Sequence, residues 1–358
     1  TWGIVDNTSG ERDIVRNNAG TWQYNSNGTY ASETWVAGAT NTELATIAEA
    51  MEGASFAVNA FDVSTSVFVD AFSVSSQETA PNGVAFNTDG TKMFVVGVTG
   101  DDVNEYALST GFDVSTASFT DAFSVASQET NPHGIAFNTD GTKMFICGTS
   151  GQDVNEYALS TGFDVSTASF TDAFSVSSQE TAPNGLTFNT DGTKMFVIGW
   201  AGNDVNEYAL TTGFDVSTAS FTDSFSVASQ ETTSRDVAFN TDGTKMFVVG
   251  DAGDDVNEYA LTTGFDVSTA SYSKVFSLSP QDTAPRGITF NTNGSKMFIV
   301  GLTGQDVNEY TMGSTAYTNK MDKTQLDAVT DANHIVLGNN LDLAIVFNLS
   351  SGTTVPSS

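Results

Sequence analysis

Five residues occupy one slot of a repeating chain yet differ in chemistry: Asn82, His133, Asn184, Arg235 and Arg286 follow one another at a constant interval of 51 residues. Arg brings directional cationic donors, Asn brings both donors and acceptors, and His titrates near neutrality. A second variable slot heads a short loop further along each repeat, where Val98, Thr149, Trp200, Asp251 and Leu302 stand. The fourth residue of that loop is Asp101, Gln152, Asn203, Asp254 or Gln305. Trp200 offers a flat apolar face to a sugar ring or a partner side chain. Mixed polar groups beside an aromatic plane point to a glycan or a polar protein patch as ligand.

Other chemistry is poorly provided for. His133 has no second His, Cys or patterned carboxylate beside it, and His334 is far along the chain; an axis-lining or surface histidine is expected rather than a metal ligand. Cys147 fills a slot held by Val96, Ile198, Val249 and Val300 in the other copies, so it is expected to be a small buried hydrophobe. The repeated acids, Asp89, Asp101, Asp102 and Glu105 among them, follow no calcium-loop spacing. They are expected to be solvated, with calcium a minor alternative and no cofactor otherwise implied. Asp236 replaces the usual Gly beside Arg235, but one acid is not the pair that glycoside hydrolysis needs. With no nucleophile elbow, phosphate loop or Ser/His/Asp set, the chain is not expected to be an enzyme.

Composition narrows the partners. The 358 residues carry a formal charge of −31, which excludes a protein that binds nucleic acid through clustered cations. Charged residues are only 15% of the chain against 39% apolar, so the core is ample and the surface is mostly Ser, Thr, Asn and Gly. No apolar run approaches the ~18 residues of a membrane helix, and a soluble chain without a membrane span is expected. A single Cys allows no internal disulfide. A start at Thr1 and an end in VPSS are expected to mark a piece of a longer chain. An acidic, Ser/Thr-rich surface suits an extracellular or saline setting, where salt screens self-repulsion.

The elements that must hold these residues come from the repeat. FDVST begins at Phe61, Phe112, Phe163, Phe214 and Phe265, and each unit must bury its apolar face against its neighbours. In the second unit, 134–138, 143–148, 153–159 and 169–176 read as strands rich in β-branched and aromatic residues. The first two are joined through Asp140-Gly141, a pair suited to positive φ in a tight hairpin. Four antiparallel strands in about 50 residues make one propeller blade. The fold class expected is therefore all-β, a five-bladed β-propeller over 61–312.

The repeat order supplies a closure. The array opens with an outer-type strand at 66–74 and ends near Met312 after a third-type strand, so pairing 66–74 with 306–311 would leave no open blade. Alternation along SFTDAFSV places Phe119, Phe123 and Val125 on one face. Phe68, Phe170, Phe221 and Tyr272 are the equivalents of Phe119, between or at the edge of blades. Both variable slots then fall on one face of the disc. The loops NTDGT and GFDVSTAS, nearly constant among the copies, fall on the other, where turn geometry accounts for them.

PNGVAFNTDGTKMFVVG followed by VNEYAL resembles a YVTN-type repeat, related in style to NHL propellers, which implies a propeller and no particular chemistry. The flanks differ. Residues 1–60 contain TNTELATIAEAME, with Leu44, Ile47, Ala48 and Met51 on one face of an expected short helix. In 313–358, MDKTQLDAVTDANHIVLG reads as a second helix and turn and LDLAIVFNLS as a buried strand. Because ring closure brings the propeller's ends together, the flanks are expected to be halves of one small split domain. TYASETW and LGNNLDLAIVFNLSSGTTVP resemble tail-fibre or virion-surface proteins of tailed phages from marine bacteria. That resemblance implies a virion or extracellular location, partners among other virion proteins or copies of itself, and a host-surface glycan or protein as target. A secreted, lectin-like carbohydrate-binding propeller is the alternative.

Overall fold

A computed structural model of the chain describes residues 60–312 throughout and, in the flanks, the strands Trp2–Asp6, Arg12–Asn18, Thr21–Tyr24, Val36–Ala37, Ile335–Asn339 and Leu341–Phe347. Residues 58–313 form one compact unit. It is a ring of five four-stranded antiparallel sheets, a five-bladed β-propeller.

The second blade is representative: Pro132–Phe137 innermost, then Lys143–Gly148, Asp153–Leu159 and Ala168–Ser175 outermost, paired in that order. The closure is the one the strand order implies. Val67–Ser73 pairs antiparallel with Asp306–Thr311, with Ser73 opposite Asp306 and Val67 opposite Thr311. Strand edges that would otherwise invite pairing by another chain are thereby joined.

The core lies between blades rather than within them. Phe94, Val96 and Val103 of the first blade pack with Met144, Ile146 and Tyr157 of the second, and the same arrangement recurs around the ring. Each interface also carries an ion pair. Lys92 Nζ lies 2.7 Å from Glu105 Oε1 and donates to the carbonyl of Phe163 in the next blade at 2.6 Å. Glu105 Oε2 accepts from the N–H of Val165 in that blade at 3.1 Å. Glu105 is 5% exposed, so it is a buried cross-blade bridge and not the solvated acid expected from the repeat.

Two further expectations change. A β-bulge between Glu105 and Tyr106 leaves Thr120 as the extra residue, with Tyr106 opposite Phe119 and Val103 opposite Phe123. The alternation is reversed across the bulge. Phe119 therefore turns to Tyr106 of its own blade, edge-on at 5.9 Å. Phe123 turns to Tyr157 of the next blade at 5.7 Å, so the two do not share a face. Phe119, Phe170, Phe221 and Tyr272 are 44–45% exposed at the rim.

The loops that scarcely vary also do more than turn. At the hairpin only Gly141 takes a positive φ, +71°, while Asp140 accepts from the N–H and hydroxyl of Thr142. Phe163 is itself left-handed at φ 58°, an uncommon conformation for a bulky side chain. A Cβ added at Gly141 would sit 2.2 Å from the Phe163 ring, and that ring stacks on Phe94 of the preceding blade at 6.3 Å.

In the flanks, the four N-terminal strands pair in sequence order as an antiparallel sheet, and Ile335–Asn339 pairs with Leu341–Phe347. The strand foreseen in LDLAIVFNLS is there. The IVLG segment is a strand rather than a turn. The helices expected in 41–51 and ahead of 335 lie outside the described residues.

Candidate functional site

Each innermost strand enters from the inter-blade loop, and that loop meets the loop after the second strand. A buried glutamate ties them. Glu129, fully buried, accepts from the N–H of Asn131 at 2.7 Å, Ser150 at 3.1 Å and Gly151 at 2.9 Å. Glu78, Glu180, Glu231 and Asp282 repeat the arrangement. Such carboxylates need no cation because amide donors satisfy them. The two variable slots are thus held on one face, as the sequence implies.

At the head of the innermost strands Asn82, His133, Asn184, Arg235 and Arg286 form a polar ring around one end of the axis. Asp251 gathers two of them. Its Oδ2 lies 2.6 Å from Arg235 Nη2, 3.0 Å from Arg235 Nε and 3.1 Å from Arg286 Nη1. The guanidinium side chains are only 15% and 13% exposed. Burial and then the neighbouring Arg235 pull Arg286 below the ordinary guanidinium range, while Asp251 and Asp282 oppose.

Both guanidinium groups act on His133 through space. Burial first, then Arg235 and Arg286, hold its pKa at about 4, so the imidazole is neutral at physiological pH. Asn82 Nδ2 donates to the carbonyl of Pro132 at 3.2 Å, linking it to the neighbouring blade. Asn184 Nδ2 donates to the carbonyl of Ala182 at 3.1 Å. Trp200 stands outside the ring, half exposed, in the loop position that Asp251 occupies one blade later.

Three buried polar atoms of this group have no hydrogen-bond partner: Asn184 Oδ1, Asp251 Oδ1 and Arg286 Nε. Two are acceptors and one is a donor. Leaving such groups unsatisfied costs about 1–3 kcal/mol each. The sequence marks Asp251 only as a variable loop residue; its charge, opposite to that of the two arginines in the axial slot, is the available signal.

The fourth loop residue is explained without a ligand. Asp101, Gln152, Asn203, Asp254 and Gln305 all take φ of 49–54°, a left-handed conformation that disfavours β-branched residues, none of which stands at this position. Cys147 is fully buried, and burial raises its thiol above the usual range. Among the described residues no three His, Cys, Asp or Glu side chains are placed to share a metal ion. No described helix is long and apolar enough to cross a membrane.

The fold and the axial ring together define a five-bladed propeller with one chemically distinct disc face. No protein-family model matches the chain, and no curated protein does. Similar solved structures include a protein from Lactobacillus plantarum at 14% identity, covering 64% of this chain and 67% of that one with a TM-score of 0.42. The β-propeller domain of Myceliophteria thermophila Cps50 (Swd1) is 10% identical over 69% of this chain and 99% of its own, TM-score 0.41. A periplasmic gluconolactonase from Pseudomonas aeruginosa is 14% identical over 64% and 66%, TM-score 0.40.

Proposed function

We propose that the chain is a non-enzymatic recognition propeller of a phage virion surface, binding a host-surface glycan at the disc face that carries Asn82, His133, Asn184, Arg235, Arg286 and Trp200. The observation that carries this reading is the break in fivefold repetition at one end of the axis, where Arg235 and Arg286 converge on Asp251 Oδ2 and Trp200 stands half exposed one loop away. A sugar hydroxyl both donates and accepts, so adjacent hydroxyls match a ring of mixed Asn, His and Arg groups. An exposed indole one loop away suits the apolar face of a pyranose. A polar protein patch would have to meet the same pattern.

Absence of turnover is supported by how the two axial acids are used. Asp251 Oδ2 lies between two guanidinium groups, and both oxygens of Asp236 accept backbone N–H groups. Neither has the free, opposed geometry of an acid and a nucleophile. The virion setting rests on the phage-like wording of the flanks and on the acidic surface.

Binding of the wild-type chain and of a Trp200→Ala/Arg235→Ala/Arg286→Ala variant to an array of bacterial surface glycans tests the proposal. The wild type is expected to select a small set of glycans and the folded variant to lose them. Equal retention by both would place recognition elsewhere. Selective binding by a free monomer that associates with no virion protein would favour the secreted lectin-like alternative.

A further inference from the structure

The axis has a second feature away from the polar ring. A cavity of about 360 Å³, at the small end of ligand pockets, is walled by the innermost strands of all five blades. Val84, Ile135, Leu186, Val237 and Ile288 give it an apolar girdle. Thr88, Thr139, Thr241 and Thr292, on the hairpin side of the disc, ring its mouth. Three of these threonines bond around the circle, Thr88 to the carbonyl of Thr139 at 3.2 Å, Thr241 to that of Thr292 at 3.5 Å and Thr292 to that of Thr88 at 3.1 Å.

One residue breaks the fivefold pattern. Four repeats place Gly83, Gly134, Gly185 and Gly287 at the third residue of the innermost strand, and the fourth blade places Asp236 there. A Cβ at Gly83 would lie 2.4 Å from the carbonyl oxygen of His133, and one at Gly185 would lie 2.2 Å from Asp236 Oδ1. The Asp236 carboxylate crosses to the next blade, where Oδ2 accepts from the N–H of Ile288 at 2.9 Å, while Oδ1 accepts from Val237 at 2.8 Å. Among the described residues no Lys or Arg pairs with it, and the adjacent Arg235 is turned to Asp251. A buried carboxylate is ordinarily paired, and this one borders a cavity.

We propose that the axial cavity binds a small organic ammonium ion, its nitrogen against Asp236 and its alkyl or aryl body against the aliphatic girdle. A bare divalent cation would need several oxygen ligands, and among the described residues that line the cavity there is no second acid to share one. An ammonium needs one carboxylate with hydroxyl or carbonyl acceptors nearby, and the apolar wall accounts for the organic body. The net charge of −31 raises the local concentration of any cation.

Protonation couples to this binding. Burial pushes the Asp236 carboxyl up to about 7, against the two backbone N–H groups that favour its ionised form. The neighbouring titratable groups are His133, held neutral to about pH 4, and Cys147, held neutral by burial. Arg235, Arg286 and Asp251 remain an ion cluster. An arriving ammonium therefore favours the carboxylate and displaces a proton from Asp236.

The probe is n-butylammonium, with 1-butanol as its neutral counterpart, titrated calorimetrically at pH 8 and pH 5.5. The wild type is expected to bind butylammonium at least about tenfold more tightly at pH 8, the change that protonating the partner carboxylate produces. Asp236→Asn is expected to lose that affinity and its pH dependence while binding butanol as the wild type does. Should the Asn variant not fold, Asp236→Gly restores the residue of the other four repeats. Butylammonium binding that is absent, independent of pH, or unchanged in the Asp236 variants overturns the proposal.

Discussion

Single residues in this protein are decided by contacts that cross from one blade to the next. The polar slot and the buried place of Cys147 are legible in the sequence because they show as variation or constancy at fixed spacing. Glu105 is not, because its partners outside its own hairpin lie 60 residues on, at Val165, and no pattern within a repeat reveals them. Breaking that bridge with Glu105→Gln should lower unfolding stability by about 1–3 kcal/mol in urea. The figure lies below the 3–5 of a fully buried pair because Lys92 is a third exposed. The axial ionisable groups set opposite pH slopes. Asp236 has its folded pKa raised to about 7, so the folded state holds more protons than the unfolded one between about pH 4 and 7. Its contribution is complete below pH 4 and is lost as pH rises through 7. His133, lowered to about 4, works the other way: the unfolded state binds the extra proton, so its contribution falls as pH drops from about 6.5 to 4. Asp236→Asn should therefore remove a loss of up to about 1.4 kcal/mol per pH unit between pH 5 and 7, read from urea midpoints across that range. An unchanged profile would mean that Asp236 is not the buried acid described.

At the scale of elements, strand order and closure are legible because the register of the repeat is offset between the two ends of the array. The bulge at Thr120 is not, since an inserted residue leaves no mark in a pattern of alternating apolar positions that also reads as continuous. It sends Phe119 to the rim and Phe123 to the blade interface. Phe94→Ala, at a fully buried interface position, should cost about 3–5 kcal/mol, and Phe119→Ala markedly less in the same denaturant series. The hairpin turns carry more weight than a turn motif suggests. Gly141→Ala would face both a positive φ and the Phe163 ring 2.2 Å away, so a loss of more than about 1 kcal/mol is expected. The closing strand is the most exacting case. Removing residues before Val74 should open the last blade and end the single cooperative melt, and a permuted chain carrying 60–74 after Met312 should restore it. A truncated chain that melts as sharply as the parent would refute the closure.

For the whole molecule, the ring concentrates its departures from fivefold symmetry at the axis. Asn82, His133, Asn184, Arg235 and Arg286 gather at one end, with Asp251 completing the group, and Asp236 borders the cavity. The sequence shows that these positions vary; that three of their polar atoms are left buried and unpartnered emerges only once five separate repeats are brought around one axis. The acidic surface acts on the whole chain: its melting temperature should rise as sodium chloride increases from about 20 to 500 mM, because screening relieves self-repulsion. The claim that recognition resides at the axial ring is tested most directly by nuclear magnetic resonance titration of the isotopically labelled chain with the glycan it selects on an array. Recognition at the ring predicts that the Trp200 indole, the Asn184 side-chain amide and the Nε–H groups of Arg235 and Arg286 shift together, while the amides of Gly90, Gly141, Gly192, Gly243 and Gly294 on the opposite face stay in place. Shifts confined to those glycines or to the rim around Phe119 would contradict it.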